Sequence, residues 1–454
     1  MNAISRRTLL RFGAGALGPP GMGSRLTQFG ALNAATSAAA TDYKALVCIF
    51  MFGGNDSNNL IVPMDLQGYA DYAKTRVNGV LALQQGNLLP VTTATGATPY
   101  GFHPALGAFQ SLFTQKKLSV VANIGTLVKP ITVAQYQQGN AAVPANLFSH
   151  SDQQSQWQIA PYQNSLRTGW GGRAADIMAA LNSPSTFPAG VSTAGNSLFL
   201  TGQNSTPATV TNGGLGLSGS DGSPLANARD NAFQQILNFQ SGLSLIQRAS
   251  DVTLDGIKVG QILNSTLNGS SPLVTQFPAT GLGQQLLQVA RIMKIRGTLG
   301  MNRQIFFCSQ GGFDTHTDEI NSHASLYAEL SAAMLAFHNA TQELAVESQV
   351  TTFTESEFGR TCQPSTGAGS DHAWGSHHVV MGGAVKGGDL FGKFPTLRLN
   401  GPDDVSGRGV WLPTTTLDQY GATLASWFGV NDVTQVFPNL NNFPGNPLTL
   451  PFLG

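Results

Sequence analysis

The sequence predicts an α/β protein with a largely parallel central sheet and a mid-chain insertion, and three observations lead there. Short apolar runs end in glycine or polar clusters, amphipathic helical patterns lie between them, and one long Gly/Ser/Thr/Asn stretch breaks the alternation. The runs are Ala45 to Phe52, Leu118 to Ile124, Gln304 to Cys308 and Val350 to Thr354. Their near-continuous apolar character suits strands covered on both faces. Leu326, Leu330, Met334, Phe337 and Leu344 share one face of a helix whose N-terminus Asp318 and Glu319 favour. Gln284 to Leu299 forms a second such pattern through Leu286, Leu287, Ala290 and Met293. Gly195 to Pro224 interrupts the rhythm, and a helical stretch follows from Ala226 to about Arg248. The region 196–275 therefore reads as an insertion or cap on the sheet rather than a second catalytic domain. Thr416-Leu417-Asp418 opens a last helix through Tyr420, Leu424 and Trp427, and the Pro/Asn-rich tail beyond Val436 reads as surface wrapping.

The N-terminus carries Ser5-Arg6-Arg7-Thr8-Leu9-Leu10, then a weakly apolar, glycine-rich stretch from Phe12 to Leu17, then Pro19 and Pro20. This order matches a twin-arginine export signal, with Ala38-Ala39-Ala40 as the cleavage site. Residues 1 to about 40 are thus expected to be removed, leaving residues 41–454 as a single periplasmic or secreted domain. The apolar run falls short of the ~18 residues a span requires, so no stable membrane span is expected in the mature protein. Twin-arginine export carries proteins that fold first, often around a cofactor, which makes a metal site worth seeking.

Charge narrows the function classes. Basic and acidic residues number 24 each, the formal net charge is zero and only 11% of residues are charged. No basic patch supplies the electrostatic attraction that nucleic acid needs, so nucleic acid is excluded as a partner. Cys48, Cys308 and Cys362 are odd in number and imply no complete disulfide framework.

Ligand-type side chains follow several of the predicted strands, where open α/β sheets collect functional groups. The first strand gives Gly53-Gly54-Asn55-Asp56, and the strand ending at Cys308 gives Gly311-Gly312-Phe313-Asp314-Thr315-His316. The strand ending at Thr354 gives Glu355-Ser356-Glu357-Phe358-Gly359-Arg360, followed by Asp371-His372. Asp and His together form the ligand set of Zn²⁺ or Mn²⁺ more than of Ca²⁺ or Mg²⁺. Any one cluster alone reads equally as a turn or a cap; their recurrence after successive strands is what points to a shared site. His323 and His338, in or near the long helix, read as structural.

These residues, with Ser149-His150 and the polar residues to Trp157, resemble a bacterial family of unknown function, number 1501 in the domain-of-unknown-function series. That family is placed in the alkaline phosphatase and sulfatase superfamily. The resemblance spans most of the mature chain and implies an alkaline phosphatase-like three-layer sandwich. It further implies one or two divalent metal ions held by Asp56, Asp314, His316, Glu357, Asp371 and His372 beside a hydroxyl nucleophile. Where the superfamily carries Asp-His after the third strand, this chain has Ser356-Glu357-Phe358. Ser149, at the start of a predicted helix, is the expected nucleophile, ahead of Ser151 and Ser57; its other reading is a helix N-cap. Arg173 and Arg360 are expected to steady an anionic substrate. Two functions follow: an exported metal-dependent hydrolase of small phosphate or sulfate esters, or a non-catalytic cell-envelope binding or scaffold protein that keeps the fold.

Overall fold

β1 (Lys44–Met51) is buried almost throughout, and its alternate side chains enter two different cores. Val47 and Ile49 face one core and Leu46, Cys48 and Phe50 the other, which fixes a sheet with helices on both sides. The computed structural model describes residues 43–96, 98–160, 167–210, 223–239, 242–445 and 447–454. The twin-arginine segment lies outside the described residues.

The remaining strands are β2 (Ile61–Pro63), β3 (Leu89–Thr92), β4 (Pro99–Phe102), β5 (Leu118–Gly125), β6 (Gly190–Ser192), β7 (Ala208–Thr209), β8 (Arg303–Gln310), β9 (Val350–Glu355), β10 (Ser376–Gly382), β11 (Leu390–Phe391) and β12 (Thr415–Thr416). The nine-stranded central sheet runs β11-β5-β10-β9-β1-β8-β6-β7, with β12 also on β5. Its pairings are parallel except those of β10 with β5 and β9. β2, β4 and β3 form a small antiparallel sheet.

The helices are α1 (Leu66–Thr75), α2 (Gly107–Thr114), α3 (Val133–Gln137), α4 (His150–Ile159), α5 (Trp170–Met178), α6 (Pro224–Leu237), α7 (Ser244–Asn268), α8 (Gly281–Lys294), α9 (Glu319–Glu343) and α10 (Leu417–Phe428). α2, α8 and α9 cover one face of the sheet through Phe109, Leu286, Val289, Leu330, Met334 and Phe337. α4, α5 and α10 cover the other through Trp157, Trp170, Ala174, Leu424 and Phe428. The result is the expected mixed α/β architecture in three layers, with β9, β1 and β8 side by side at its centre. No helix among the described residues is long and apolar enough to cross a membrane. Cys48, Cys308 and Cys362 are buried and free.

Two details differ from the expectation. The helical stretch from Ala226 to Arg248 is two helices: α6 ends at Leu237 and α7 begins at Ser244, two residues after Gly242, which has φ +73°. Within 196–275, β7 joins the central sheet beside β6, so part of that region completes the sheet.

Candidate functional site

The parallel run β9-β1-β8 ends at one rim, and the loops beyond it meet there. The first turn must be glycine: Gly53 has φ +119°, and a Cβ on it would lie 2.3 Å from the amide nitrogen of Asp314. Phe313 donates its amide to the Phe52 carbonyl at 3.1 Å, so the β8 loop is laid directly on the β1 turn. Close backbone approach of this kind is what brings Asp314 to the rim.

Three imidazoles converge on one carboxylate oxygen. Asp314 Oδ1 lies 3.0 Å from His316 Nε2, 3.3 Å from His372 Nε2 and 3.4 Å from His150 Nε2. His316 and His372 approach each other Nε2 to Nε2 at 3.2 Å. One ligand atom from each of His150, Asp314 and His372 falls within 4.8 Å of the others.

The opposite ring nitrogens fix the tautomers. His372 Nδ1 lies 2.7 Å from the Phe148 carbonyl, which can only accept, so Nδ1 carries the proton. His150 Nδ1 lies 2.8 Å from Glu357 Oε1, a buried carboxylate oxygen that also accepts from the Gly53 amide at 2.8 Å and from Gln154 Nε2 at 2.9 Å. His316 turns Nδ1 toward Asp371 Oδ1 at 3.5 Å. His150 and His372 therefore present the lone pair of Nε2 to the point that His316 Nε2 also faces, the arrangement in which outer carboxylates and carbonyls orient metal-ligating histidines.

The Nε2 lone pairs of His150 and His372 and the Asp314 oxygen are acceptors, and the oxygen cannot satisfy the two rings. His150 Nε2 is buried without a hydrogen-bond partner. Burial opposes ionisation of Asp314, but the Arg360 hydrogen bond and charge, with His150 and His316, hold its carboxyl down at about 2. Partial burial lowers His372 below the ordinary histidine range, which favours the neutral imidazole that a metal requires. A divalent cation fits this donor set, and mixed imidazole and carboxylate donors suit zinc or manganese. Beside the cluster opens a hollow of about 520 Å³ lined by His316, Thr317, Ser365, Thr366, Asp371 and Arg408.

Of the expected ligands, Asp314, His316 and His372 meet at the point of convergence, while Glu357 and Asp371 stand one layer out, behind His150 and His316. Asp56 is elsewhere: its carboxylate is fully buried against Arg76 and accepts from Asn58 Nδ2 at 2.9 Å. That buried ion pair leaves it no oxygen aimed at the cluster. Arg173 is also corrected, because its guanidinium donates to the carbonyls of Ile159, Ala160, Thr168 and Val436, which makes it a clamp on loop backbone. Arg360 reaches the site but is wholly buried, donating to the carbonyls of Gly53, Gly54, Phe313 and Ser370 as well as to Asp314. It orients Asp314 and has no donor left free to face the rim. Ser149 immediately precedes α4, yet its hydroxyl donates to Asp152 Oδ2 at 2.6 Å and makes no capping bond to the helix backbone. His150, beside it, is the site residue that sequence reasoning passed over. A histidine at a helix start between two serines was the available signal, and the hydroxyls drew the attention instead.

No curated protein matches the chain. Among solved structures, Ps i-CgsB in complex with k-i-k-neocarrahexaose is 8% identical, with a TM-score of 0.31 over 89% of this chain and 77% of that one. A quadruple mutant of the alkaline phosphatase PafA is 12% identical, with a TM-score of 0.26 over 72% of this chain and 65% of that one. Likenesses this weak carry no weight for fold or chemistry. The sequence itself is decisive on kinship: residues 43–407 match the family described as "Protein of unknown function (DUF1501)", and the chain belongs to that family.

Proposed function

We propose that this chain is an exported metal-dependent hydrolase of phosphate or sulfate esters, with one divalent ion held by His150, Asp314, His316 and His372. The observation that carries the reading is the convergence of three Nε2 lone pairs on Asp314 Oδ1, two of them with the far nitrogen held by a strong acceptor. The ion would supply Lewis-acid polarisation of an ester oxygen. The chain supplies the rest: Glu357 and the Phe148 carbonyl hold the rings, Arg360 keeps Asp314 ionised, and Arg408 faces the adjoining hollow. Arg408 donates Nη1 to Asp371 Oδ2 at 2.7 Å and is nearly half exposed, so it is the cation placed to meet an anionic ester. Because the Ser149 hydroxyl is turned to Asp152, a water molecule entering from the open side is favoured over Ser149 as the attacking group.

Metal analysis of the purified protein is expected to give one zinc or manganese per chain, with turnover of an aryl phosphate or an aryl sulfate. Asp314→Ala and His150→Ala should abolish both, whereas Ser149→Ala should keep turnover within about threefold. A wild type that takes up no metal and turns over neither ester sinks the proposal. Metal uptake without turnover of either ester would favour the non-catalytic cell-envelope reading.

Glu357→Gln tests the outer layer. The amide keeps the size but loses the charge that holds the His150 Nδ1 proton, so metal affinity is expected to fall about 10- to 100-fold. Titration against a chelating dye measures it directly.

A further inference from the structure

We propose that Glu319 is a positioning residue for the metal cluster, tying the loop that carries Asp314 and His316 to the loop that carries Asp371 and His372. The inference rests on the metal reading above and adds to it the device that sets the spacing of the ligands.

Glu319 is the first residue of α9, and an acid there would ordinarily face water and the helix dipole. Instead its side chain is fully buried and turned inward. Oε2 accepts from Thr315 Oγ1 at 3.1 Å and from Ser370 Oγ, while Oε1 accepts from Arg76 Nη2 at 3.2 Å. Thr315 lies between Asp314 and His316, and Ser370 immediately precedes Asp371 and His372. One carboxylate oxygen thus holds a hydroxyl from each ligand-bearing loop.

The backbone repeats the tie. Ser370 donates its amide to the Thr315 carbonyl at 3.2 Å, Glu319 to the Ala368 carbonyl at 3.0 Å and Asp318 to the Gly367 carbonyl at 3.2 Å. A Cβ on Gly369 would lie 2.0 Å from the carbonyl carbon of His316, so the two loops are in direct contact. Arg76 fixes Glu319 from behind and is itself held by Asp56. A constellation of ligands must be held to within about 0.5 Å to bind well, and a rigid shell of this sort provides that tolerance. The carboxylate therefore acts through the loops and does not touch the ion.

Removing Glu319 itself would also take from Arg76 one of its buried hydrogen-bond partners, so the informative variants leave both residues in place. Thr315→Val and Ser370→Ala together delete both hydroxyls, whereas Thr315→Ser alone keeps both. The readouts are zinc affinity by chelator competition, the visible spectrum of the cobalt-substituted protein, and the melting temperature of the metal-free protein. The double variant is expected to bind zinc about 10- to 100-fold more weakly and to show an altered cobalt spectrum. Its metal-free melting temperature should stay within about 4 °C of wild type, and Thr315→Ser, which keeps both hydroxyls, should bind zinc as wild type does. Wild-type affinity and spectrum in the double variant overturn the tie while leaving the metal site standing. A weakening of the same size in Thr315→Ser also overturns it. A wild type that binds no zinc or cobalt removes the metal reading, and this inference with it.

Discussion

Replacing Arg76 with methionine is expected to destabilise the protein by about 3–5 kcal/mol, the cost of stranding a buried charge. Arg76 is fully buried and donates to Asp56, to Glu319 and to the carbonyls of Thr361 and Cys362. Burial alone would raise the Asp56 carboxyl, but the Arg76 charge outweighs it and keeps Asp56 ionised below the ordinary range. Glu319 goes the other way: burial and the neighbouring Asp56 charge push its carboxyl up, which favours the neutral form. One positive and one negative charge then balance in the core, and the neutral methionine side chain would leave the negative one alone. Urea unfolding of the single variant and of Arg76→Met with Asp56→Asn measures the point. The double variant should recover most of the loss, because no uncompensated charge remains. A single variant within about 1 kcal/mol of wild type would contradict the pairing.

Acid should weaken the fold steeply, and two adjacent histidines account for much of the slope. Burial pushes both His377 and His378 down to about 3. His377 Nδ1 accepts the Asn123 amide at 3.0 Å, so a proton there would break a backbone hydrogen bond. His378 is packed near the rings of Trp157 and Tyr420. In the unfolded chain both titrate near pH ~6.5. Their folded values are depressed, so the stability they confer is complete above about pH 6.5 and is lost progressively as pH falls toward 3. Each contributes a slope of up to about 1.4 kcal/mol per pH unit in that window. His378→Phe, which suits the aromatic surroundings, should remove one of the two slopes while leaving the other. Denaturant unfolding at about pH 7.5, 6.0 and 5.0 would reveal it; parallel stability curves for wild type and variant would refute the assignment.

What was legible in the sequence was local. β1, β8 and β9 announce themselves because strands buried on both faces are runs of apolar residues, and Asp314, His316 and His372 follow them closely enough to be noticed. Asp56 looked equivalent, standing after a strand in a glycine turn. Its true partner, Arg76, is 20 residues away on the far side of a small sheet strand, and nothing local signals the pairing. Arg173 and Arg360 misled for a related reason: their partners are mostly backbone carbonyls, which every residue possesses and no sequence pattern displays. The break between α6 and α7 was hidden because apolar residues such as Phe239 and Leu243 continue across it. His150 illustrates the remaining limit, since its role depends on Glu357, 207 positions later, accepting its proton.

That last separation has a consequence for the life of the protein. His150 and Asp314 are contributed by segments 164 positions apart (314 − 150), and His372 arrives a further 58 later (372 − 314). No short fragment holds the complete donor set, so a truncated chain would carry only part of the proposed site. On the metal reading proposed above, loading would wait for synthesis past His372: a chain interrupted earlier would lack part of the donor set.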